Sequence, residues 1–182
     1  MAPTTTAAPY TDTLADGLTW ERLCTDPAFA FLQDLPFKIE TNRWGQLVMS
    51  PTYFRHGYFQ KRISRLLDDL TDAPGESAVE IAIQTTDGNR VADVVWVSAE
   101  RFGRIRDEFA VSVAPEICVE VVSAGNHPDE IAHKRALYFE AGAAEVWICD
   151  REGALRFFTP EGEHERSPRV PGFPLQIEMP GT

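Results

Sequence analysis

Cysteine is scarce in this sequence, and no two cysteines are near each other along the chain. Only three are present among 182 residues, at Cys24, Cys118 and Cys149. An odd number without the short spacings of metal ligands supports neither a disulfide framework nor a zinc site. Because Cys118 and Cys149 fall in apolar segments, we expect both to be buried as small hydrophobic side chains.

The sequence also lacks long hydrophobic runs. Its first 20 residues are rich in Thr, Ala and Pro and have neither the basic start nor the apolar stretch of a secretory signal. No later run is long enough to cross a bilayer. We therefore expect a cytoplasmic protein without a membrane partner. A hydrophobic fraction of 43% is sufficient for one core, which predicts a flexible segment over residues 1–20 and a single domain over residues 21–182.

Positive charge is the third scarce property. Lys and Arg number 17 against 28 Asp and Glu, so the formal net charge is −11. This balance argues against broad, non-specific attraction to nucleic acid but leaves room for a local basic surface. One predicted helix carries four candidates for contact with a DNA backbone: Arg55, Lys61, Arg62 and Arg65. A second basic group contains Arg101, Arg104 and Arg106. A solvated helix face of mixed charge is the alternative for each group.

Helical and extended patterns follow one another in an order that predicts an α/β fold, with a mixed α+β sheet flanked by helices. Turn residues separate the segments. The predicted elements, in chain order, are a helical segment over 14–35 broken at Pro27, strands 37–40 and 46–49, a helix 52–70, strands 78–85 and 91–97, a short helix 98–108, a strand 116–122, a helix 128–141, strands 145–149 and 155–158, and an edge segment 175–177.

Three charged residues stand in segments whose other residues are apolar. Asp93 lies in the run 91–97 and Glu120 in the run 117–122, while Lys134 lies on the apolar stripe of the predicted helix 128–141. Charged side chains are rarely buried unless they are paired or bind a metal. A divalent cation such as Mg²⁺ is a candidate partner for two buried carboxylates.

Each of the three residues also has a structural interpretation. Lys134 could lay its stem over the apolar face and keep its ammonium in water. Asp93 could accept backbone hydrogen bonds, and Glu120 could simply pair with Lys134. Together, however, an Asp, a Glu and a Lys on adjoining elements can hold a metal, lower the pKa of its water and stabilise charge on a phosphate.

The order and spacing of several short motifs carry a family resemblance. These motifs are Glu40…Gly45…Met49-Ser50-Pro51…His56, then Ala92-Asp93-Val94, then Pro115-Glu116-Ile117-Cys118-Val119-Glu120-Val121-Val122-Ser123, then Lys134…Tyr138…Gly142…Glu145-Val146-Trp147-Ile148. In this arrangement the sequence from Phe37 to Phe158 resembles the Uma-two family of restriction endonucleases, within the PD-(D/E)XK nuclease superfamily. The resemblance implies that Asp93, Glu120 and Lys134 fill the three catalytic positions.

Two departures from the superfamily pattern are visible. Ala92 precedes Asp93 where the pattern has proline, which carries no catalytic group. Glu120 is followed by two valines, so the lysine expected two residues later is missing. The resemblance implies that Lys134, on the following helix, supplies it.

The resemblance also implies a fold and a reaction. The fold would be a restriction-endonuclease-like core with an added N-terminal helix and β-hairpin. The reaction would be hydrolysis of phosphodiester bonds in DNA, with Mg²⁺ or Mn²⁺ held by Asp93, Glu120 and the backbone carbonyl of Val121. Lys134 would orient the nucleophile or stabilise the developing charge. A homodimer would place one site on each strand of a duplex.

Four further residues are candidates for the site, each with a structural alternative. Glu80 could add a carboxylate to the metal, and Glu40 could contact a second metal or orient Lys134. His56 could position a phosphate or assist a proton transfer. Gln84, on the same strand face as Glu80, could bind the attacking water. Two other functions stay open, a nuclease-like binding or regulatory module without catalysis and a metal-dependent phosphodiesterase acting on a smaller substrate.

Overall fold

The structure, a computed structural model, describes residues 13–14 and 18–181. Most of the segment predicted to be flexible, residues 1–20, lies outside these described residues. The elements, in chain order, are β1 Thr13–Leu14, β2 Leu18–Thr19, α1 Trp20–Thr25, α2 Ala30–Gln33, β3 Phe37–Thr41, β4 Leu47–Pro51, α3 Phe54–Leu70, β5 Gly75–Thr85, β6 Gly88–Ser98, α4 Ala99–Ile105, β7 Ile117–Val121, α5 Pro128–Glu140, β8 Glu145–Cys149, β9 Leu155–Thr159 and β10 Gly162–His164. A 3₁₀ turn, Pro27–Phe29, separates α1 from α2.

A six-stranded mixed sheet forms the centre of the molecule, as the sequence predicted. Its strand order is β10-β9-β8-β7-β6-β5. β7 and β8 run parallel and are connected through α5, which makes a βαβ unit, while the other neighbours in this sheet are antiparallel. The strand that carries Glu120 therefore leads directly into the helix that carries Lys134.

Helices cover both faces of the sheet. On one face, α3 buries Phe59, Ile63 and Leu67, which recur at the spacing of one helix stripe. On the other face, α4 and α5 pack over a second apolar cluster that includes Ile105 and Ile131. The predicted apolar stripe of α5 is confirmed, and so is its end, since the residue Gly142 that follows has a φ of 103°.

In the β5–β6 hairpin, the regular alternation of side chains between the two faces of the sheet is interrupted at Glu80 and Asp93. Ala78 and Ile81 pack against the same apolar cluster although they are three residues apart, and Ala92 and Val95 do likewise across the hairpin. Regular strand alternation places only residues an even number apart on one face. The ladder has paired residues on both sides of Glu80 and Asp93, and Glu80 has a positive φ of 56°. Both strands are therefore distorted where Asp93 stands.

Two details of the predicted fold are wrong. The N-terminal segment was expected to be helical from residue 14, but Thr13–Leu14 pairs with Leu18–Thr19 before α1 begins. β10 was not expected, because its three exposed residues carry no apolar alternation and pair only through the turn that follows β9. In the predicted edge segment 175–177, Gln176 forms an isolated bridge with Ala154.

Other expectations are confirmed. Cys118 and Cys149 are buried, and the β3–β4 hairpin forms where it was predicted. Within the described ranges, no helix combines the length and the apolar character needed to cross a membrane.

Candidate active site

Asp93, Glu120 and Lys134 meet in one buried cluster. They come from β6, β7 and α5 and are 1%, 3% and 5% exposed, so their predicted burial is confirmed. The ammonium of Lys134 lies 3.3 Å from Glu120 Oε2. Neighbouring strands bring the two carboxylates together, and the βαβ connection brings the lysine over them. The catalytic roles of the three residues stay a prediction.

The β3–β4 hairpin adds Glu40 and Lys38 to this cluster. Glu40 accepts hydrogen bonds from Lys134 Nζ at 2.7 Å and from the main-chain N–H of Val91 at 2.8 Å. The ammonium of Lys38 lies 2.6 Å from Asp93 Oδ1 and 3.7 Å from Glu120 Oε2, so it bridges the two carboxylates.

Lys38 was not among the predicted site residues, although a signal for it was present. It stands two residues before Glu40 on β3, and alternate residues of a strand share a face. A buried position for Glu40 therefore implied the same direction for Lys38.

His56 and Glu80 approach Asp93 from another side. His56 projects from the first turn of α3, and its Nε2 lies 3.2 Å from Asp93 Oδ1. The amide of Gln60 donates to the carboxylate of Glu80 and, at 3.4 Å, to the main-chain carbonyl of Asp93. One potential ligand atom from each of His56, Glu80 and Asp93 lies within 4.8 Å of the other two.

Glu120 is held through both of its oxygens. Tyr138 donates its hydroxyl to Oε1 at 2.5 Å, while Oε2 faces Lys134 and Lys38. Asp93 Oδ2 accepts the main-chain N–H of Val121 at 2.6 Å. The contact of Val121 with Asp93 is thus made by its amide, and the role predicted for its carbonyl as a metal ligand stays a prediction.

The neighbouring charges set the protonation of these groups. Burial alone would raise the pKa of Asp93, but Lys38 and His56 hold it well below its ordinary value. Burial raises the pKa of Glu120, and this outweighs the effect of the two lysines. Burial lowers the pKa of His56, yet the carboxylate of Asp93 produces a net upward shift. The cluster therefore favours an ionised Asp93 beside a Glu120 that binds protons more readily than usual.

A narrow polar cleft leads to the cluster. Its volume is about 20 Å³, roughly the space of one water molecule, and its walls include Lys38, Asp93, Glu120 and Lys134. A wider cavity of about 300 Å³ lies on the other side of His56 and is lined in part by Arg55 and Arg151. The two cavities share His56, Val121 and Ser123 in their walls and are therefore neighbours.

The role predicted for Gln84, binding of the attacking water, stays a prediction. Its side-chain amide donates to the carbonyl of Ala110 at 3.0 Å, and it pairs with Asn89 near the hairpin turn.

The four basic residues of α3 lie in different surroundings. Arg55 donates to the carbonyl of Arg151, and Arg62 is half-buried. Lys61 and Arg65 are exposed, one turn apart, along a groove between α3 and β5. In the second basic group, Arg101 pairs with Glu116 at 3.3 Å.

Asp87, which sequence reasoning missed, joins three elements next to the cluster. It stands in the β5–β6 turn and accepts hydrogen bonds from Arg43 of the β3–β4 turn and from Arg90 of β6. His133 of α5 lies 2.8 Å from its Oδ2. Arg90 in turn reaches to 4.0 Å from Glu40 Oε2. This network fixes the β3–β4 hairpin, and with it Lys38 and Glu40, against the sheet.

Comparison with known proteins gives solved structures of similar fold and a family match. A crystal structure described as a putative nuclease belonging to DUF820 from Anabaena variabilis matches with a TM-score of 0.58 and 15% sequence identity, over 72% of this chain and 79% of that one. At this identity the match shows a shared fold. None of the curated proteins matches the sequence. The Uma2 family profile, described as "Putative restriction endonuclease", matches residues 14–180. Since that match spans nearly the whole sequence, the chain belongs to the Uma2 family.

Proposed function

We propose that this protein is a metal-dependent endonuclease that hydrolyses phosphodiester bonds in DNA. The observation that carries the proposal is the buried cluster in which Asp93, Glu120 and two lysines meet at the end of a narrow polar cleft. Membership of a family described as restriction endonucleases supports a nuclease in general terms. Carboxylates beside an ammonium group suit a reaction that places negative charge on a phosphate.

The residues around Asp93 fit a divalent cation. The pKa of the nearly fully buried Asp93 carboxyl is held below its ordinary value, which favours the carboxylate, and His56 Nε2 lies 3.2 Å from its Oδ1. Asp93 would hold Mg²⁺ or Mn²⁺ together with a neighbouring carboxylate. Such an ion, when bound, lowers the pKa of a water ligand and shields phosphate charge.

The lysines have separate tasks in this proposal. Glu40 and Glu120 position the ammonium of Lys134, which lines the cleft and faces the point where a phosphate would enter. Its buried positive charge would orient the nucleophile or stabilise the developing charge. Lys38 keeps Asp93 ionised before substrate binds.

The groove beside α3 supports a nucleic-acid substrate. Lys61 and Arg65 line it together with Gln60, which also contacts Glu80 and Asp93, and Arg65 lies 3.6 Å from Asp69 of the same groove. Two cations one helical turn apart could follow successive phosphates of a strand leading to the site. A homodimer would address both strands of a duplex. That assembly and a cytoplasmic location remain predictions of the sequence.

One observation favours a second candidate, a nuclease-like binding or regulatory module without catalysis. Lys38 and Lys134 already provide ion pairs for Asp93, Glu120 and Glu40. Such pairing compensates the buried charges without a metal. The two functions therefore differ in whether phosphodiester bonds are cut, and not in the arrangement of the cluster.

A plasmid-nicking assay with Mg²⁺ or Mn²⁺ tests the proposal. We expect the parent protein to relax supercoiled DNA, Asp93→Asn and Lys134→Ala to lose roughly 100-fold or more of that activity, and Glu76→Gln, an exposed residue of the same strand as Glu80, to retain it. Full cutting by Lys134→Ala would remove this lysine from the mechanism. A parent that binds duplex DNA without cutting it would favour the module, and cutting of a small aryl phosphodiester alone would favour the smaller substrate.

A further inference from the structure

We propose that the wider cavity beside the narrow polar cleft binds one unpaired nucleotide of the DNA substrate, with its base against Tyr53 and a phosphate facing Arg55 and Arg151. The protein would then cut single-stranded or locally unpaired DNA in preference to a fully paired duplex. The inference rests on the proposed function for the cut itself, and it names the form of DNA that the same site accepts.

The cavity adjoins the place where the scissile phosphate would lie. Its walls share His56, Val121 and Ser123 with the narrow polar cleft, whose other walls include Asp93 and Glu120. A phosphate held in the cleft would leave a nucleoside attached to it beside the cavity. The occupant of the cavity should therefore be a part of the DNA strand that is cut.

The size and lining of the cavity suit a single base. Its volume is about 300 Å³, at the lower end of the range of roughly 300–1,000 Å³ for small-molecule sites. Aromatic and aliphatic side chains line much of it, namely Tyr53, Phe59, Val121, Val122 and Ala124. Tyr53 is 57% exposed, so its ring is accessible to a ligand. Every nucleobase has a π-face that can stack on such a ring.

The charged groups of the cavity favour an anion. Arg55, His56 and Arg151 line it, and none of the described residues in its walls is acidic. α3 begins here without a carboxylate in its first turn, so the positive end of its dipole adds to this charge. In a protein of net charge −11, this surface suits a ligand that joins a negative charge to a flat apolar part. A nucleotide has both features.

The two arginines are held in place without being neutralised. Arg55 donates one guanidinium nitrogen to the carbonyl of Arg151 at 3.1 Å, which connects the start of α3 to the turn after β8. Neither arginine has an ion pair with a carboxylate within the described part of the chain. Their remaining N–H groups can therefore donate to phosphate oxygens.

A second apolar cavity shows the contrast. It lies beside α4, has a volume of about 400 Å³ and is lined by three carboxylates, those of Glu76, Glu80 and Glu108. These carboxylates would repel a phosphate, and none of its lining residues belongs to the narrow polar cleft. Size and apolar character are thus common to both cavities, whereas the match to a nucleotide is found beside His56.

A fully paired strand cannot place a base in this cavity directly. Bases of a duplex are stacked inside the helix, and a base that enters a protein pocket must first leave the stack, with the loss of its pairing and stacking energy. An unpaired nucleotide avoids that cost. Duplex DNA should therefore still be cut, but more slowly than a single strand.

Cleavage of one oligodeoxynucleotide sequence, offered as a single strand, as a full duplex and as a duplex with one mismatch, tests the inference. We expect the parent with Mn²⁺ to cut the single strand at least about ten-fold faster than the full duplex, and to cut the third form next to the mismatch. Tyr53→Ala should lower kcat/KM for the single strand by about ten-fold. Ala124→Trp, which fills the cavity from an exposed position, should remove the preference for unpaired DNA.

Matched variants control for folding and for general surface effects. Phe54→Ala removes an aromatic ring that is 85% exposed and does not line the cavity, and it should cut as the parent does. Ala136→Trp adds the same bulk at an exposed position of α5 and should also cut normally. The Tyr53 side chain makes no capping hydrogen bond to α3, so Tyr53→Ala should unfold thermally as the parent does.

Binding measured in EDTA, where no cutting occurs, separates this inference from the proposed activity. Fluorescence anisotropy should show that the parent binds the single strand about ten-fold more tightly than the duplex, and that Tyr53→Ala and Ala124→Trp lose this difference. A parent that cuts and binds both forms equally, or two cavity variants that behave as the parent, would overturn the inference and leave the nuclease intact. A Tyr53-dependent preference in binding without any cutting would contradict only the nuclease.

Discussion

Lys38 shows how a single residue alters the interpretation of the site. The sequence assigned one lysine to two buried carboxylates, whereas the structure brings two, and Lys38 makes the closer contact with Asp93. Its pKa is raised above the ordinary value because the carboxylates of Glu120, Asp93 and Glu40 outweigh the effect of burial, so it stays charged. The protein thus carries an internal cation at the centre of its acidic cluster.

Lys38→Met should therefore destabilise the protein in the absence of metal. Removing one partner of a buried ion pair leaves the other uncompensated, at a cost of about 3–5 kcal/mol in the free energy of unfolding. Saturating Mn²⁺ should recover a large part of this loss, because an ion that binds only the folded state stabilises it. Urea unfolding of parent and variant, with and without Mn²⁺, measures both effects. A Lys38→Met protein as stable as the parent without metal would contradict the prediction.

Asp87 predicts a pH dependence of stability. Burial would raise its pKa, but hydrogen bonds from His133, Arg43 and Arg90 lower it strongly. A carboxyl with a depressed folded-state pKa stabilises the protein fully above its ordinary pKa and progressively less as the pH falls toward the folded-state value. Asp87→Asn should cost roughly 2 kcal/mol at about pH 7, and this penalty should begin to fall below about pH 4 and continue to fall as the pH is lowered further.

Urea unfolding of the parent and Asp87→Asn across this pH range gives the comparison. Glu76→Gln is a suitable control, because Glu76 is an exposed residue of β5. An Asp87→Asn penalty that does not change with pH would show that the contacts of Asp87 do not depend on its charge.

At the scale of elements, the β5–β6 turn is where the β3–β4 hairpin contacts the central sheet. Gly88 has a φ of 85°, and a Cβ added there would lie 2.4 Å from the carbonyl oxygen of Thr41. Asn89 donates its main-chain N–H to Thr41 Oγ1 at 2.8 Å. The close approach of the two backbones fixes the distance between β3 and β6, and therefore between Lys38 and Asp93.

Gly88→Ala should destabilise the protein by about 2 kcal/mol or more, because the new methyl group meets backbone and the residue has a positive φ. The matched control is Gly57→Ala, since a Cβ at Gly57 in α3 has no neighbour within 4 Å. That control should stabilise the protein by roughly 0.5–1 kcal/mol through helix propensity. Thermal unfolding of both variants checks the opposite signs, and an equal effect of the two would refute the argument.

At the scale of the whole molecule, the net charge of −11 opposes DNA binding everywhere except at local basic surfaces. The two basic groups lie on opposite layers, since α3 covers one face of the sheet and α4 covers the other. Only the α3 group borders the candidate site, through the groove that Gln60, Lys61 and Arg65 share. The surface that contacts DNA should therefore be that of α3.

The double variant Lys61→Gln/Arg65→Gln should weaken duplex binding and reduce the slope of log affinity against log salt by about 2, since each phosphate contact contributes roughly 0.9. Arg104→Gln/Arg106→Gln, which removes the same charge from exposed positions at α4, should keep the slope of the parent. Fluorescence anisotropy across a salt series provides the measurement. Equal changes in the two double variants would indicate a general charge effect without a defined DNA surface.

Much of the fold was predictable because it depends on local patterns. The stripe of Phe59, Ile63 and Leu67 identified α3, and the run around Asp93 identified β6. The burial of Lys134 followed from its place on the stripe of α5. The distortion at Glu80 could not be predicted, because it depends on the pairing of β5 with β6 and leaves no mark in the alternation of residue types.

The sequence by itself determined the order of the elements from β3 to β9, the burial of three charged residues and the family motifs, because each depends on residue type and short-range spacing. Only the tertiary structure decided which groups meet. It placed Lys38 between Asp93 and Glu120, and it brought His56 and Glu80 close to the carboxylate of Asp93. The contact of Lys38 with Asp93 alone links residues 55 positions apart. Their distances depend on how a hairpin and a helix pack on the sheet, and no local pattern specifies that packing.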